Sequence, residues 1–207
     1  GQPATMRPLF STMGWLLLPL APAVSMRLVS EELRSGTIEP LMTSPASDYA
    51  VVLGKFFGAF LFLGVLLSPT LVHAWILWRH AAPSPDVGPL VAGYVSVGLL
   101  AGLFVSAGLL ISTLTSNQTL AFLGALLLTL GILIVPDVVS SSLAGREGES
   151  AWVARAVPVA RSLQVGRRLE DFARGVIDTG HIVAFVAWTG VFLAAAAVSL
   201  ESRRWRS

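Results

Sequence analysis

The chain has 207 residues, 54% of them hydrophobic and 13% charged, with a formal net charge of +2 and a mean hydropathy of +0.74. Soluble domains carry about 25% charged residues, so this composition excludes a water-soluble surface and places the chain in the membrane class. The absence of cysteine excludes disulfides, iron–sulfur clusters and thiolate zinc sites, and Arg spread over loops and tail forms no dense basic face for nucleic acid.

The opening residues, GQPATMRP, are neither a signal peptide nor a helix start. A bilayer core of about 30 Å takes roughly 20 apolar residues as a helix, and five runs qualify. The first covers about 9–29 and holds Pro19 and Pro22; the second covers about 49–78 and holds Pro69. The third covers about 90–114, the fourth about 119–139 and the fifth about 181–200. The expected fold is therefore all-α, a polytopic membrane helix bundle forming one transmembrane domain over 1–207. Pro19, Pro22 and Pro69 are its expected flex points, since proline interrupts the helical ladder.

The joints differ in kind. RHAAPSPDVGP links the second and third spans as a Pro-rich turn, and TSNQ links the third and fourth as a tight uncharged hairpin. Residues 140–180 are polar but patterned. Trp152, Ala156, Val159, Leu163, Leu169 and Phe172 recur at helical spacing with Arg between them. That predicts one or two amphipathic helices broken near Pro158, either lying at the membrane interface or capping the spans. Gly54 with Gly58 and Gly98 with Gly102 fit the small-xxx-small spacing of close helix packing. His73 lies at membrane depth beside Trp75 and Trp78, which fit an aromatic belt, and Asp137 reads as a charge at a helix end.

The strongest signal is the elbow 30–48, SEELRSGTIEPLMTSPASD, with four acids and one Arg between two spans. Gly36 supplies a sharp turn, Thr37 can cap a second short helix with Glu39 in its first turn, and Pro45 stops that helix. The product is a short helix across the membrane face, showing acids and a small apolar edge, suited to docking a soluble partner. Catalysis finds no footing: the sequence carries no Walker A motif, no H-E-x-x-H and no G-x-S-x-G.

The run EELRSGTIEPLMTSPASDYAVVLGKFFGAF resembles the signature of bacterial ABC-2 type transporter permeases, in particular the branch of the gliding-motility permease GldF and the nitrous-oxide-reductase accessory permease NosY. The resemblance implies that Glu31, Glu32, Arg34, Ser35, Gly36, Thr37, Glu39, Leu41, Met42, Ser44 and Pro45 form a coupling helix, docked in a cleft of a separate ABC ATP-binding subunit. Pro40 stands where a Leu is more usual. It further implies a cytoplasmic elbow in a bacterial cytoplasmic membrane and an extracytoplasmic segment 140–180. Counting Lys and Arg by the positive-inside rule leaves the orientation undecided. The family has six spans, so a first span is expected before Gly1. The implied assembly is two permease protomers, identical or different, with two ATPase chains that hold the ATP and Mg, no cofactor in this chain, and room for a periplasmic or membrane accessory subunit. The first and fourth spans seen here would line the pathway. Export of cargo is one outcome; transmission of ATP-driven movement to a periplasmic or motility partner, without moving solute, is the other.

Overall fold

The structure is a computed structural model that describes residues 6–38, 47–81, 86–143 and 151–204. Among these residues there are nine helices and no strand: α1 (Arg7–Ser25), α2 (Ser30–Ser35), α3 (Asp48–Leu67), α4 (Pro69–His80), α5 (Val87–Leu114), α6 (Gln118–Leu143), α7 (Ala151–Leu163), α8 (Val165–Ala173) and α9 (Thr179–Arg204). Five units are long and apolar enough to cross a membrane: α1 with α2, α3 with α4, α5, α6 and most of α9. The chain is a polytopic helical bundle.

Helix α5 is the axis of that bundle. It packs against α1, α3, α6, α8 and α9, and it is apolar all round, as a helix enclosed by others must be. Small residues make the enclosure possible: Gly93, Ser96, Ala101, Ser106, Ala107, Gly108 and Ser112 are all buried. On α1 the inward face runs Phe10, Met13, Leu17, Ala21, Ser25 at helical spacing. It closes on α5 at two points. A β-carbon on Gly93 would stand 2.1 Å from the Phe10 ring, and one on Gly108 would stand 1.9 Å from Ser25 Oγ. Among the described residues, then, the close approach of α1 to α5 uses Gly93 and Gly108. The expected glycines sit elsewhere: Gly54, Gly58 and Gly98 have open space where a β-carbon would go, and Gly102 meets only Phe56 and Phe60 at ordinary contact distance. Small-xxx-small spacing marks candidates, whereas contact depends on which face the neighbouring helix takes.

The prolines are absorbed into helices. Pro19 and Pro22 lie inside α1. At Pro69 the missing N–H leaves the Val65 carbonyl without its helical donor, and Ser68 supplies both its backbone N–H (3.2 Å) and its hydroxyl (2.8 Å) to that oxygen. The helix axis therefore passes from α3 into α4 with a satisfied joint. Pro158 also lies within α7, so the break expected there falls instead at Gln164. Gln164 Nε2 donates to Asp137 Oδ1 and Ser140 Oγ, both at 2.7 Å, with only 5% of the residue exposed. Asp137 is thus the anchor of the α7–α8 corner and more than a terminal charge.

Helices α7 and α8 cap the bundle. Val153, Val157 and Ala160 of α7 and Val165 and Phe172 of α8 are buried, while Val159 is exposed. The inward face of α7 is therefore one residue out of register from the stripe expected through Val159; apolar residues occupy both registers, so spacing alone could not choose. A Schellman turn closes α8: Gly175 N–H bonds Phe172 O and Val176 N–H bonds Asp171 O, with Gly175 at φ +85°. Asp178 then accepts from Gly180 N–H at 2.8 Å and starts α9. In the hairpin before α6, Asn117 Oδ1 caps the helix by accepting from Thr119 and Leu120 N–H. His73 lies exposed on α4.

Candidate coupling elbow

The elbow begins where α1 stops. After Ser25 the chain makes a turn over residues 26–29 before α2, a six-residue helix that could not persist alone in water. Its first backbone donors face into the bundle, where no water can satisfy them. Ser112, near the end of α5, supplies the missing group. Its hydroxyl oxygen accepts from Val29 N–H at 3.1 Å and Ser30 N–H at 3.0 Å, and donates to the Met26 carbonyl at 3.0 Å. Ser30 Oγ also donates to Met26 O. One α5 side chain thus caps α2 and closes the end of α1.

A second clamp comes from α3. Lys55 Nζ lies 2.5 Å from the Leu28 carbonyl and 2.5 Å from Glu32 Oε1. The Lys55 and Glu32 side chains are 19% and 29% exposed, so the ion pair is largely shielded from water and salt, unlike a surface pair. Glu32 Oε2 is buried and without a hydrogen-bond partner among the described residues. Glu31 and Glu32 both occupy the first turn of α2 and Arg34 the last, the placements that the helix dipole favours. Gly36 ends the helix at φ +75°, ψ 1°, a left-handed conformation that costs an L-residue about 1–2 kcal/mol. Ser35 Oγ donates to Glu31 O at 2.8 Å and meets Thr37 Oγ1 at 2.8 Å.

The elbow therefore has two faces. Glu31, Arg34, Ser35, Gly36 and Thr37 are exposed, whereas Glu32 turns inward onto Lys55. Of the other residues expected in the elbow, Glu39, Leu41, Met42, Ser44 and Pro45 lie outside the described residues. Beyond them Ser47 Oγ accepts from Ala50 N–H at 3.2 Å and starts α3. Sequence reasoning missed Ser112. The signal that could have found it is weak, a serine near the end of an apolar span opposite a helix break, because its partners lie more than eighty positions away. Lys55 stood in the recognised run, but its tie to Glu32 needed the fold.

A family model described as ABC-2 family transporter protein matches residues 4–205. The protein described as "Probable multidrug ABC transporter permease YbhR" in Escherichia coli strain K12 is 29% identical over 112 residues, and the protein of the same description in Escherichia coli O157:H7 matches equally. Those residues are 54% of this chain and 29% of the relative, so the match spans less than a third of the relatives' length. With the family pattern running over residues 4–205 of a polytopic helical bundle, the chain belongs to the ABC-2 family of transporter proteins.

Proposed function

We propose that this chain is the permease subunit of an ABC-2 type transporter, driven by a separate ATP-binding subunit that docks on the elbow 30–48. One observation carries the reading: α2 is exposed on one face and clamped on the other to both α5 and α3, through Ser112 and the Glu32–Lys55 pair. A push on the exposed face is then delivered to three spans at once, because α1, α3 and α5 all meet at that joint. Residues Glu31, Arg34, Ser35 and Thr37 are the docking face, and Glu32 is the strut behind it.

Two such chains and two ATPase chains make the working assembly in a bacterial cytoplasmic membrane, with ATP and Mg on the partner. The first and fourth spans, now α1 and α6, line the pathway between protomers, and Pro19, Pro22 and Pro69 are where the spans flex. Both helices are nearly free of charge, which suits amphipathic cargo better than small ions and agrees with the multidrug description of the relative. The elbow's resemblance to the GldF and NosY branch supports a second reading, in which the movement is passed to a periplasmic or motility partner and no solute crosses.

The test is co-purification of the chain with its ATPase, comparing the native chain with Gly36→Pro and Arg34→Glu. Release of the ATPase, or loss of stimulated ATP turnover, with the bundle still folded supports the docking role. Unchanged association and turnover in both variants would remove it. Uptake of an amphipathic dye into inverted vesicles separates transport from force transmission.

A further inference from the structure

A cleft opens on the side of the bundle beneath α7 and α8. It is lined by Leu103 of α5, Ile132 of α6, Phe185, Trp188 and Phe192 of α9, and Arg168 of α8. The cleft is partly open and its volume is about 100 Å³, somewhat below the apolar protein cavities of about 150 Å³ that accept hydrocarbon-like ligands. Along α9 it runs from Ala184 to Phe192, about 12 Å at 1.5 Å per residue, close to the roughly 15 Å of one leaflet's hydrocarbon. Trp188, 43% exposed, forms the outer lip. The cleft thus lies along the apolar length of α9, with the Arg168 guanidinium among its lining groups.

We propose that this cleft holds one acyl chain of an anionic phospholipid from the leaflet that α7 and α8 cover, with the lipid phosphate against Arg168. The chemistry of the lining selects the headgroup. A guanidinium has five N–H donors; here one goes to the Ser162 carbonyl. Burial pushes the Arg168 pKa below its ordinary value, with the Asp178 carboxylate opposing the shift; the group keeps its charge at neutral pH, and a cation partly stripped of water gains from an anion beside it. Residues 151–178 carry five Arg (155, 161, 167, 168, 174) against three acids (170, 171, 178), a net positive segment in which Arg174 pairs with Glu170 and Asp178 acts on Arg168. A second copy of this chain would have to bring an apolar side chain and an anion to this one cleft, whereas a single lipid carries both the tail and the anion that the lining matches.

The test uses the full chain in phosphatidylcholine vesicles doped with equal amounts of either phosphatidylglycerol or phosphatidylcholine brominated on the acyl chain. Trp188 fluorescence is isolated by difference from Trp188→Phe. Brominated phosphatidylglycerol should quench Trp188 with about fivefold preference over brominated phosphatidylcholine, the ratio that about 1 kcal/mol for one basic residue at a membrane surface gives. Arg168→Lys should keep most of that preference and Arg168→Gln should lose it. On the native chain, unbrominated phosphatidylglycerol should relieve the quenching and phosphatidylcholine should not, a comparison that holds even if a variant fails to fold. Equal quenching by both lipids means annular contact only and overturns the proposal. So does a preference that survives Arg168→Gln, and so does a Trp188 that neither lipid reaches, which would mean a protein covers the cleft.

Discussion

Ser112 and Lys55 set the elbow's geometry through single atoms, and each role has a measurable consequence. Replacing Ser112 by Ala leaves Val29 N–H and Ser30 N–H without their partner and Met26 O with the Ser30 hydroxyl alone, at a cost of about 1–3 kcal/mol for buried groups left unsatisfied. Hydrogen–deuterium exchange should show faster exchange at Val29 and Ser30 in Ser112→Ala, while amides in the middle of α5 stay protected. Unchanged exchange at those two amides would sink the capping role. Lys55→Met removes one end of a shielded ion pair and strands Glu32, so the melting temperature in detergent should fall. Restoring charge by the swap Lys55→Glu with Glu32→Lys should recover part of the loss only, because the Leu28 carbonyl then lacks its cation. Nothing local announces Ser112: a serine in an apolar span reads the same whether it satisfies its own helix or a neighbour's break. Gly36 is the opposite case, because backbone conformation acts over a few residues.

Between elements, the contact of α1 with α5 is confined at Gly93 and Gly108. Gly108→Val places side-chain atoms where Ser25 now lies, and overpacking of this kind costs about 1–3 kcal/mol. Gly98→Ala meets nothing within 4 Å and should be neutral or stabilising by about 0.5–1 kcal/mol, the usual gain over Gly inside a helix. Thermal unfolding of the two variants side by side checks the assignment; equal melting temperatures would mean that α1 and α5 are not tightly apposed at Gly108. At the other face, Gly175→Ala should loosen the α8–α9 turn, because it forces φ +85° on an alanine and brings a β-carbon to 3.1 Å from Pro89. Limited proteolysis after α8 should then be faster than in the native chain. The spans themselves were legible from hydropathy, since a helix that faces lipid must be predominantly apolar. Their pairing was not, because small residues occur all along them and only some meet a neighbour.

For the whole molecule, orientation in the bilayer is the property that charge counting left open, and the cysteine-free background makes it measurable. Thr37 in the elbow and Val176 in the turn before α9 are both exposed. In intact cells a membrane-impermeant maleimide should label Val176→Cys and spare Thr37→Cys until the membrane is opened. The reverse pattern would put the elbow on the wrong face for a cytoplasmic ATPase and end the coupling proposal.

Taken alone, the sequence determined the membrane class, the five apolar helices among the described residues and the helix end at Gly36, because these depend on hydropathy summed over a span and on turn chemistry within a few residues. Tertiary structure alone decided which helix is the axis, which glycines admit a neighbour, which face of α7 is buried, and that the α1–α2 break is held by a hydroxyl on α5. Each of those depends on distances between residues far apart in the chain, and a bundle of uniformly apolar helices carries little pattern that would fix such distances beforehand.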